Sequence, residues 1–279
     1  MSNFLMVVRG FLIGTAEAIP GISGGTVALI VGIYKFLIDS ISNFFLRIIR
    51  LLGFKSRIQK ADLKVDWSKL GLIAVGMAIG LVLMARLIEP LLENFRGVTL
   101  SFFGGLVLAS VYYPLRLAGK VSALRVLWIA PGLLAGLFLS GELFAWELQV
   151  ITPVAAAIAI SALVLPGVSG SFLLLLLGAY EPTIRALNDL DIGYLLSFVG
   201  GALIGLVTVV FVVRWFLIRF PAPTYLLMAG LMLGTLPALF PELSEEFVDF
   251  HYALFASAGI FLVVAFIIIE AKMKKSSQS

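Results

Sequence analysis

Twice in this chain a long apolar run is cut by the same short break. Pro20-Gly21-Ile22-Ser23-Gly24 is followed by Gly32-Ile33-Tyr34, and Pro166-Gly167-Val168-Ser169-Gly170 by Gly178-Ala179-Tyr180. Both copies read PG[IV]SG, seven residues, then Gly-x-Tyr, at an offset of 146. Further on, Gly80-Leu81-Val82 matches Gly205-Leu206-Val207, Gly105-Leu106 matches Gly230-Leu231, and Phe95 matches Phe220, all at an offset of 125. A polar insert over 40–69, present only in the first half, accounts for the change of offset. Colinear matches of this kind mark an internal repeat, which constrains the architecture before any single element does. Residues 1–145 are expected to form the first repeat and 146–279 the second.

Both breaks sit in a chain that must face lipid. Hydrophobic residues make up 61%, charged residues 13%, and the mean hydropathy is +1.10. A soluble domain of this size carries roughly a quarter charged residues, so most of the surface is expected to meet hydrocarbon. The absence of cysteine excludes disulfides and thiolate chemistry, and the single histidine, His251, excludes a histidine metal cluster. Basic residues fall between long apolar runs, which excludes a soluble nucleic-acid binder. At the N-terminus, Ala16-Glu17-Ala18 resembles a small-x-small cleavage site. Arg9 lies inside the apolar run, however, and the residues after it recur later, so this stretch is read as part of the fold.

Each half holds five apolar segments: near 4–19, 25–38, 70–88, 98–115 and 124–140, then 150–165, 171–187, 192–217, 224–240 and 252–269. A helix needs about 20 residues to cross the hydrocarbon core, and the first two segments of each half fall short. The expectation is an all-α membrane protein of two inverted repeats, each a re-entrant helical hairpin broken at PGxSG plus three transmembrane helices. Ten full crossings would leave the same sidedness. With the N-terminus in the cytoplasm, the basic residues of the insert (Arg47, Arg50, Lys55, Arg57, Lys60, Lys64, Lys69) share that side with Arg116, Lys120, Arg125, Arg214, Arg219 and the Lys272–Lys275 tail. Arg96 and Arg185 alone fall opposite, beside acids such as Glu142, Glu147, Glu242, Glu245 and Asp249. The positive-inside rule therefore puts both termini in the cytoplasm, and an odd number of crossings per half makes the repeats inverted. The insert reads as a basic amphipathic segment on the anionic leaflet. Gly76/Gly80, Gly132/Gly136 and Gly201/Gly205 read as helix-packing positions.

Broken helices in inverted repeats are a recurrent construction of secondary transporters, with the ligand near the midplane. Proline removes a donor and disfavours helix before it. The glycines allow a ligand to approach the backbone. The helix restarting at Gly24-Gly25-Thr26, or at Gly170-Ser171, would present free N–H groups, and Ser23, Thr26, Ser169 and Ser171 add hydroxyls. Pro20, Gly21, Ser23, Gly24, Gly25, Thr26, Pro166, Gly167, Ser169, Gly170 and Ser171 are thus the candidate binding residues, and phosphate is the natural anion. The competing reading is a tight turn without a ligand.

Glu17 is the candidate coupling residue. It lies three positions before Pro20 in an apolar stretch, where a carboxylate costs a few kcal/mol, and its repeat counterpart is Leu163. Either it exchanges a proton or sodium during transport, or it caps the N–H groups of the broken loop. Arg86 and Arg185 are candidate cations for the anion. Arg86 could instead snorkel or pair with Glu89, and Lys35, whose counterpart is Glu181, is expected to snorkel. No nucleophile–base set, paired carboxylates or Walker-type loop is visible, so an enzyme is not expected.

AEAIPGISGGTVALIVGIY with LPGVSGSFLLLLLGAY, together with FFGGLVLAS at 102–110, resembles the bacterial DUF368 family of polyprenyl-phosphate transporters over nearly the whole chain. That family often has aspartate where this chain has Glu17. The resemblance implies a bacterial cytoplasmic-membrane flippase returning undecaprenyl phosphate to the cytoplasmic leaflet for reuse in envelope synthesis. It implies no cofactor beyond a coupling proton or sodium ion, and partners limited to lipid phosphate, membrane lipids and, in principle, further copies of the chain. The alternative on the same scaffold is an ion-coupled carrier of a small soluble anion.

Overall fold

The computed structural model describes residues 3–19, 23–52, 63–120, 122–139, 150–240 and 250–276. Among them every regular element is helical: α1 (Asn3–Glu17), α2 (Gly24–Ile30), α3 (Tyr34–Leu51), α4 (Trp67–Asn94), α5 (Arg96–Ser110), α6 (Tyr112–Ala118), α7 (Ala123–Val126), α8 (Ile129–Leu139), α9 (Thr152–Val164), α10 (Gly170–Leu176), α11 (Tyr180–Asn188), α12 (Ile192–Arg219), α13 (Pro221–Gly234), a 3-10 turn (Leu236–Leu239) and α14 (Phe250–Ser276). Five helical stretches are long and apolar enough to cross a membrane: Trp67–Asn94, Arg96–Ala118, Ile192–Arg219, Pro221–Leu239 and Phe250–Ile269. Ala123–Leu139 is apolar but shorter. The apolar window of the last of the five is only 11% buried, as a surface turned to lipid requires.

The second apolar segment of each half departs from the expected single arm. Gly25–Ile38 is split at Gly32, with α2 and α3 meeting at 118°, and Ser171–Leu187 is split at Gly178. Both glycines are left-handed, with φ of +73° and +64°. Gly32 N–H donates to Leu29 O and Ile33 N–H to Ala28 O, and Gly178 and Ala179 repeat the pattern on Leu175 and Leu174. These are Schellman terminations, which satisfy the last carbonyls of a helix and need a residue tolerant of positive φ. The Gly-x-Tyr signature therefore ends a seven-residue helix that PG[IV]SG begins. Helix α3 then runs on to Leu51, through the start of the insert, with Arg47 and Arg50 along its length. Residues 53–62 of the insert lie outside the described residues, as do Pro20, Gly21, Glu142, Glu147, Glu242 and Glu245.

The long helices recur in register. α4 and α12 each span 28 residues, each capped by an aspartate side chain accepting a backbone N–H: Asp66 from Lys69 at 3.1 Å and Asp191 from Tyr194 at 3.0 Å. Such caps satisfy donors that the first turn leaves open. The Lys69 side chain, 2.6 Å from Asp66, holds that carboxyl below its usual range. Helix α1 packs on α4 and α9 on α12, while α5 packs on α14 and α8 on α13, so the last pairs cross between halves. Glycines set these approaches. A Cβ on Gly76 or Gly80 would strike the α1 backbone, one on Gly132 or Gly136 the α13 backbone, and one on Gly201 or Gly205 the α9 backbone. Gly104 and Gly105 are likewise filled, by Phe240 and Ala256, whereas Gly200 faces open space. Apolar side chains of α2 and α3 then pack between α1, α4, α12 and α13, putting the first break in the main core.

Candidate functional site

The two breaks meet. Helix α9 ends at Val164, just before Pro166, and leaves carbonyls without helical partners. Ser23, 1% exposed, shares its hydroxyl proton between Ala162 O at 3.2 Å and Leu165 O at 3.1 Å. Tyr34 donates its hydroxyl to Val164 O at 3.0 Å. In the other direction, the Gly167 N–H donates to Thr26 Oγ1 at 2.9 Å. Gly167 has φ of +87°, and a Cβ there would press on the Met232 backbone. Pro166 and Thr26 are fully buried. Each break thus completes the hydrogen bonding of the other, which lets irregular backbone exist in an apolar interior.

Among the described residues, the first break has no spare backbone donors at the start of α2. Gly24 N–H donates to Glu17 Oε1 at 2.6 Å, Gly25 N–H to Ser23 Oγ at 3.1 Å, and the N–H groups of Thr26 and Val27 to Ser23 O at 2.9 and 3.3 Å. All four opening amides of α2 are occupied, and the Glu17 carboxylate stands where an external anion would. The free N–H groups expected there are therefore not found at Gly24 and Gly25.

The second break is built differently from nearly the same letters. Ser169 makes no capping bond and instead lies 3.0 Å from the Ser171 hydroxyl. Gly170 and Ser171 have no acceptor for their N–H groups among the described residues. Ser171 is exposed, and Ser169 and Gly170 are half-buried. These three residues line a cavity of about 190 Å³ whose wall also includes Glu17, Leu163, Phe198 and Ala202. One cavity thus joins the half-buried carboxylate of the first half to the unsatisfied donors of the second. Helix α10 has only seven residues, so its contribution comes from individual N–H and O–H groups rather than a long dipole.

Arg86 and Arg185 lie elsewhere. Both are exposed and outside the cavity wall, and neither makes an ion pair with a described residue. Lys35 instead pairs with Asp39 at 2.5 Å and faces a different cavity. Two participants have tasks that the sequence did not specify. Tyr34 was visible in the repeated Gly-x-Tyr, yet its task is to hold a carbonyl in the other half. Thr26 was visible only as a hydroxyl, and its task is to accept from Gly167. Among the described residues no cluster of acids and histidine fits a metal ion.

Similarity to known proteins runs over most of the chain. Residues 13–253 match the VCA0040-like family, described as undecaprenyl phosphate translocase-like. A polyprenyl-phosphate transporter of Vibrio cholerae is 34% identical over 265 residues, covering 86% of this chain and 78% of that protein. A polyprenyl-phosphate transporter of Staphylococcus aureus is 28% identical over 286 residues, covering 95% and 94%. No solved structure matches. With most of its length matched, including both breaks, the chain belongs to the VCA0040-like, undecaprenyl phosphate translocase-like family.

Proposed function

We propose that this protein carries undecaprenyl phosphate from the outer to the cytoplasmic leaflet, by ion-coupled alternating access between two inverted repeats, 1–145 and 146–279. The observation that carries the reading is the cavity in which Glu17 faces Ser169, Gly170 and Ser171. A phosphate needs several converging donors, and the second break holds unsatisfied ones. The charged head would leave water only where such groups replace its hydration.

Coupling follows from the asymmetry. In this conformation the first break is closed on Glu17 and the second is open. Neutralising Glu17 with a proton or sodium ion weakens its hold on the Gly24 N–H, and that amide becomes available to phosphate. The head then passes between breaks as the repeats rock. Pro20 and Gly21, which precede Ser23 in the first PGxSG motif, remain candidate binding residues of that break. Arg86 and Arg185 attract the anion at the membrane boundary rather than touching it within the cavity. The tail has its own room. A wholly apolar cavity of about 280 Å³, lined by Trp128, Val213, Phe216 and Leu227 among others, lies against Leu165, the residue before the second break.

The test is transport by purified protein in liposomes, with undecaprenyl phosphate placed in one leaflet and its arrival in the other followed under an imposed pH or sodium gradient. Gradient-dependent movement of the lipid sustains the proposal. Movement of soluble phosphate with no movement of the lipid would replace it with the soluble-anion carrier.

A further inference from the structure

We propose a second anion site, for a phosphomonoester, in the cavity between the α2–α3 turn, α6 and α13. The inference rests on the transport reading for its role as a way station of the lipid head, but its geometry stands apart from the breaks. The cavity holds about 360 Å³, and its wall includes Gly32, Tyr34, Lys35, Tyr113, Arg116 and Tyr225. Two cations from two different elements reach it, and no acid is among the described residues of the wall. Lys35, with 65% of its side chain exposed, shares the Asp39 carboxylate with Arg214, whose Nε is 3.5 Å from it. One carboxylate between two cations leaves Lys35 incompletely neutralised, and Arg116 on α6, its guanidinium 5.9 Å from the Tyr112 ring centre, adds a second positive charge. Tyr34 and Tyr113 form a buried wall at 4% and 5% exposure.

This combination suits a compact dianion with several acceptor oxygens. Lysine and arginine supply charge-assisted hydrogen bonds, and arginine supplies them in pairs. The other half supplies a control. At an offset of 146, Lys35 and Asp39 correspond to Glu181 and Arg185, so the same two turns carry the same charges in opposite order. The α10–α11 turn puts an acid where α2–α3 puts a cation, although its Gly178 termination is the same. Repeat symmetry therefore builds the cationic site at one end only, the end that carries the basic insert. Tyr34 also connects the site to the breaks, since its hydroxyl holds Val164 O beside the second break. The head thus finds this site after leaving the breaks, and Tyr34, in its wall and bonded to the end of α9, moves with them.

The experiment is amine-reactive labelling of Lys35, followed by mass spectrometry, on the full chain in nanodiscs of neutral lipid. Inorganic phosphate and farnesyl phosphate are the two probes. Each cation contributes a charge-assisted contact, so saturating probe is expected to slow labelling about ten-fold and Arg116→Gln to abolish the protection. Equilibrium dialysis of radiolabelled phosphate and farnesyl phosphate against Lys35→Gln gives an independent reading, with an expected loss of about ten-fold in affinity. Protection by both probes assigns the site to phosphate itself, and protection by farnesyl phosphate alone assigns it to a lipid head. Either sustains the proposal. No protection by either probe, or undiminished protection in Arg116→Gln, overturns it. Lipid transport by the same preparation separates the readings: protection without transport removes the flippase and leaves the site, while transport without protection does the reverse.

Discussion

Glu17 accepts a 2.6 Å hydrogen bond from the backbone N–H of Gly24, across the break between α1 and α2. A carboxylate in an apolar segment is costly, and a short bond from an otherwise unsatisfied amide offsets part of that cost. The same contact leaves no room for a side chain at Gly24, where a Cβ would meet the Glu17 carboxylate. In the other half Leu163 takes the position of Glu17, is 38% exposed, and leaves the corresponding amides open. In the proposed mechanism, capping and coupling, the two readings of Glu17, would belong to one contact: a cap released by neutralising it.

Glu17→Gln tests that release. The glutamine carbonyl can still accept from Gly24, so the thermal midpoint in detergent is expected to move little. Transport in liposomes is expected to fall at least ten-fold and to lose its response to the imposed gradient. Glu17→Leu, which copies the second half, removes the acceptor as well. It is expected to destabilise the protein by about 1–3 kcal/mol through the unsatisfied buried amide. Full gradient-driven transport by Glu17→Gln would remove Glu17 from the coupling step.

Ser23 and Ser169 occupy equivalent positions and should behave differently. Ser23→Ala removes a helix cap and also strips a donor from Ala162 O and Leu165 O, so a loss of about 1–3 kcal/mol is expected. Ser169 caps nothing, and Ser169→Ala is expected to cost less than about 0.5 kcal/mol while weakening lipid-phosphate transport several-fold. Chemical or thermal unfolding of the two variants decides the comparison. Equal stability losses would mean that the two breaks are structurally equivalent after all.

Much of this fold was legible because it depends on local chemistry. Pro-Gly breaks, apolar runs and packing glycines act through backbone geometry that any reader of the chain can apply, and five long apolar helices and the shorter Ala123–Leu139 emerged near their expected bounds. The second turn was missed for an equally local reason. Gly32 and Gly178 lie inside apolar runs, where length and hydropathy say nothing about a left-handed residue, although the repeated Gly-x-Tyr was the available signal. The paired helix caps Asp66 and Asp191 were also there to find, at the offset of the other matches. What no local reading supplies is the meeting of the breaks. Ser23 and Tyr34 have partners 130 or more residues away, so their duties exist only once α9 is packed against α2. The place of Arg86 and Arg185 outside the cavity wall was hidden in the same way, since charge alone does not say which side of a helix faces a cavity.

Thr26→Val tests the contact between breaks in the reverse direction. Valine keeps the shape and removes the acceptor of the Gly167 N–H, which is buried with no second partner among the described residues. A loss of about 1–3 kcal/mol is expected. Thr26→Ser keeps the hydroxyl and should restore most of it. If valine and serine give the same stability, the Gly167 amide finds another acceptor and the breaks are not tied there.

Gly32 and Gly76 separate backbone conformation from close packing. A Cβ at Gly32 meets nothing within 4 Å, so Gly32→Ala pays only for a left-handed residue; the expected cost is about 1–2 kcal/mol. Asparagine tolerates that region better than alanine, so Gly32→Asn is expected to cost less. At Gly76 the conformation is ordinary helix, but the added carbon would meet the Val7 carbonyl and the Phe11 amide of α1. Gly76→Ala must push α1 from α4, and because α1 carries Glu17 the displacement reaches the first break. Alanine there is expected to cost more than at Gly32 and to impair transport even in the fraction that folds. Thermal unfolding of the three variants, with transport normalised to folded protein, checks the ordering. If Gly32→Ala is the more damaging of the two alanines, the α2–α3 turn rather than the α1–α4 contact sets the position of the first break.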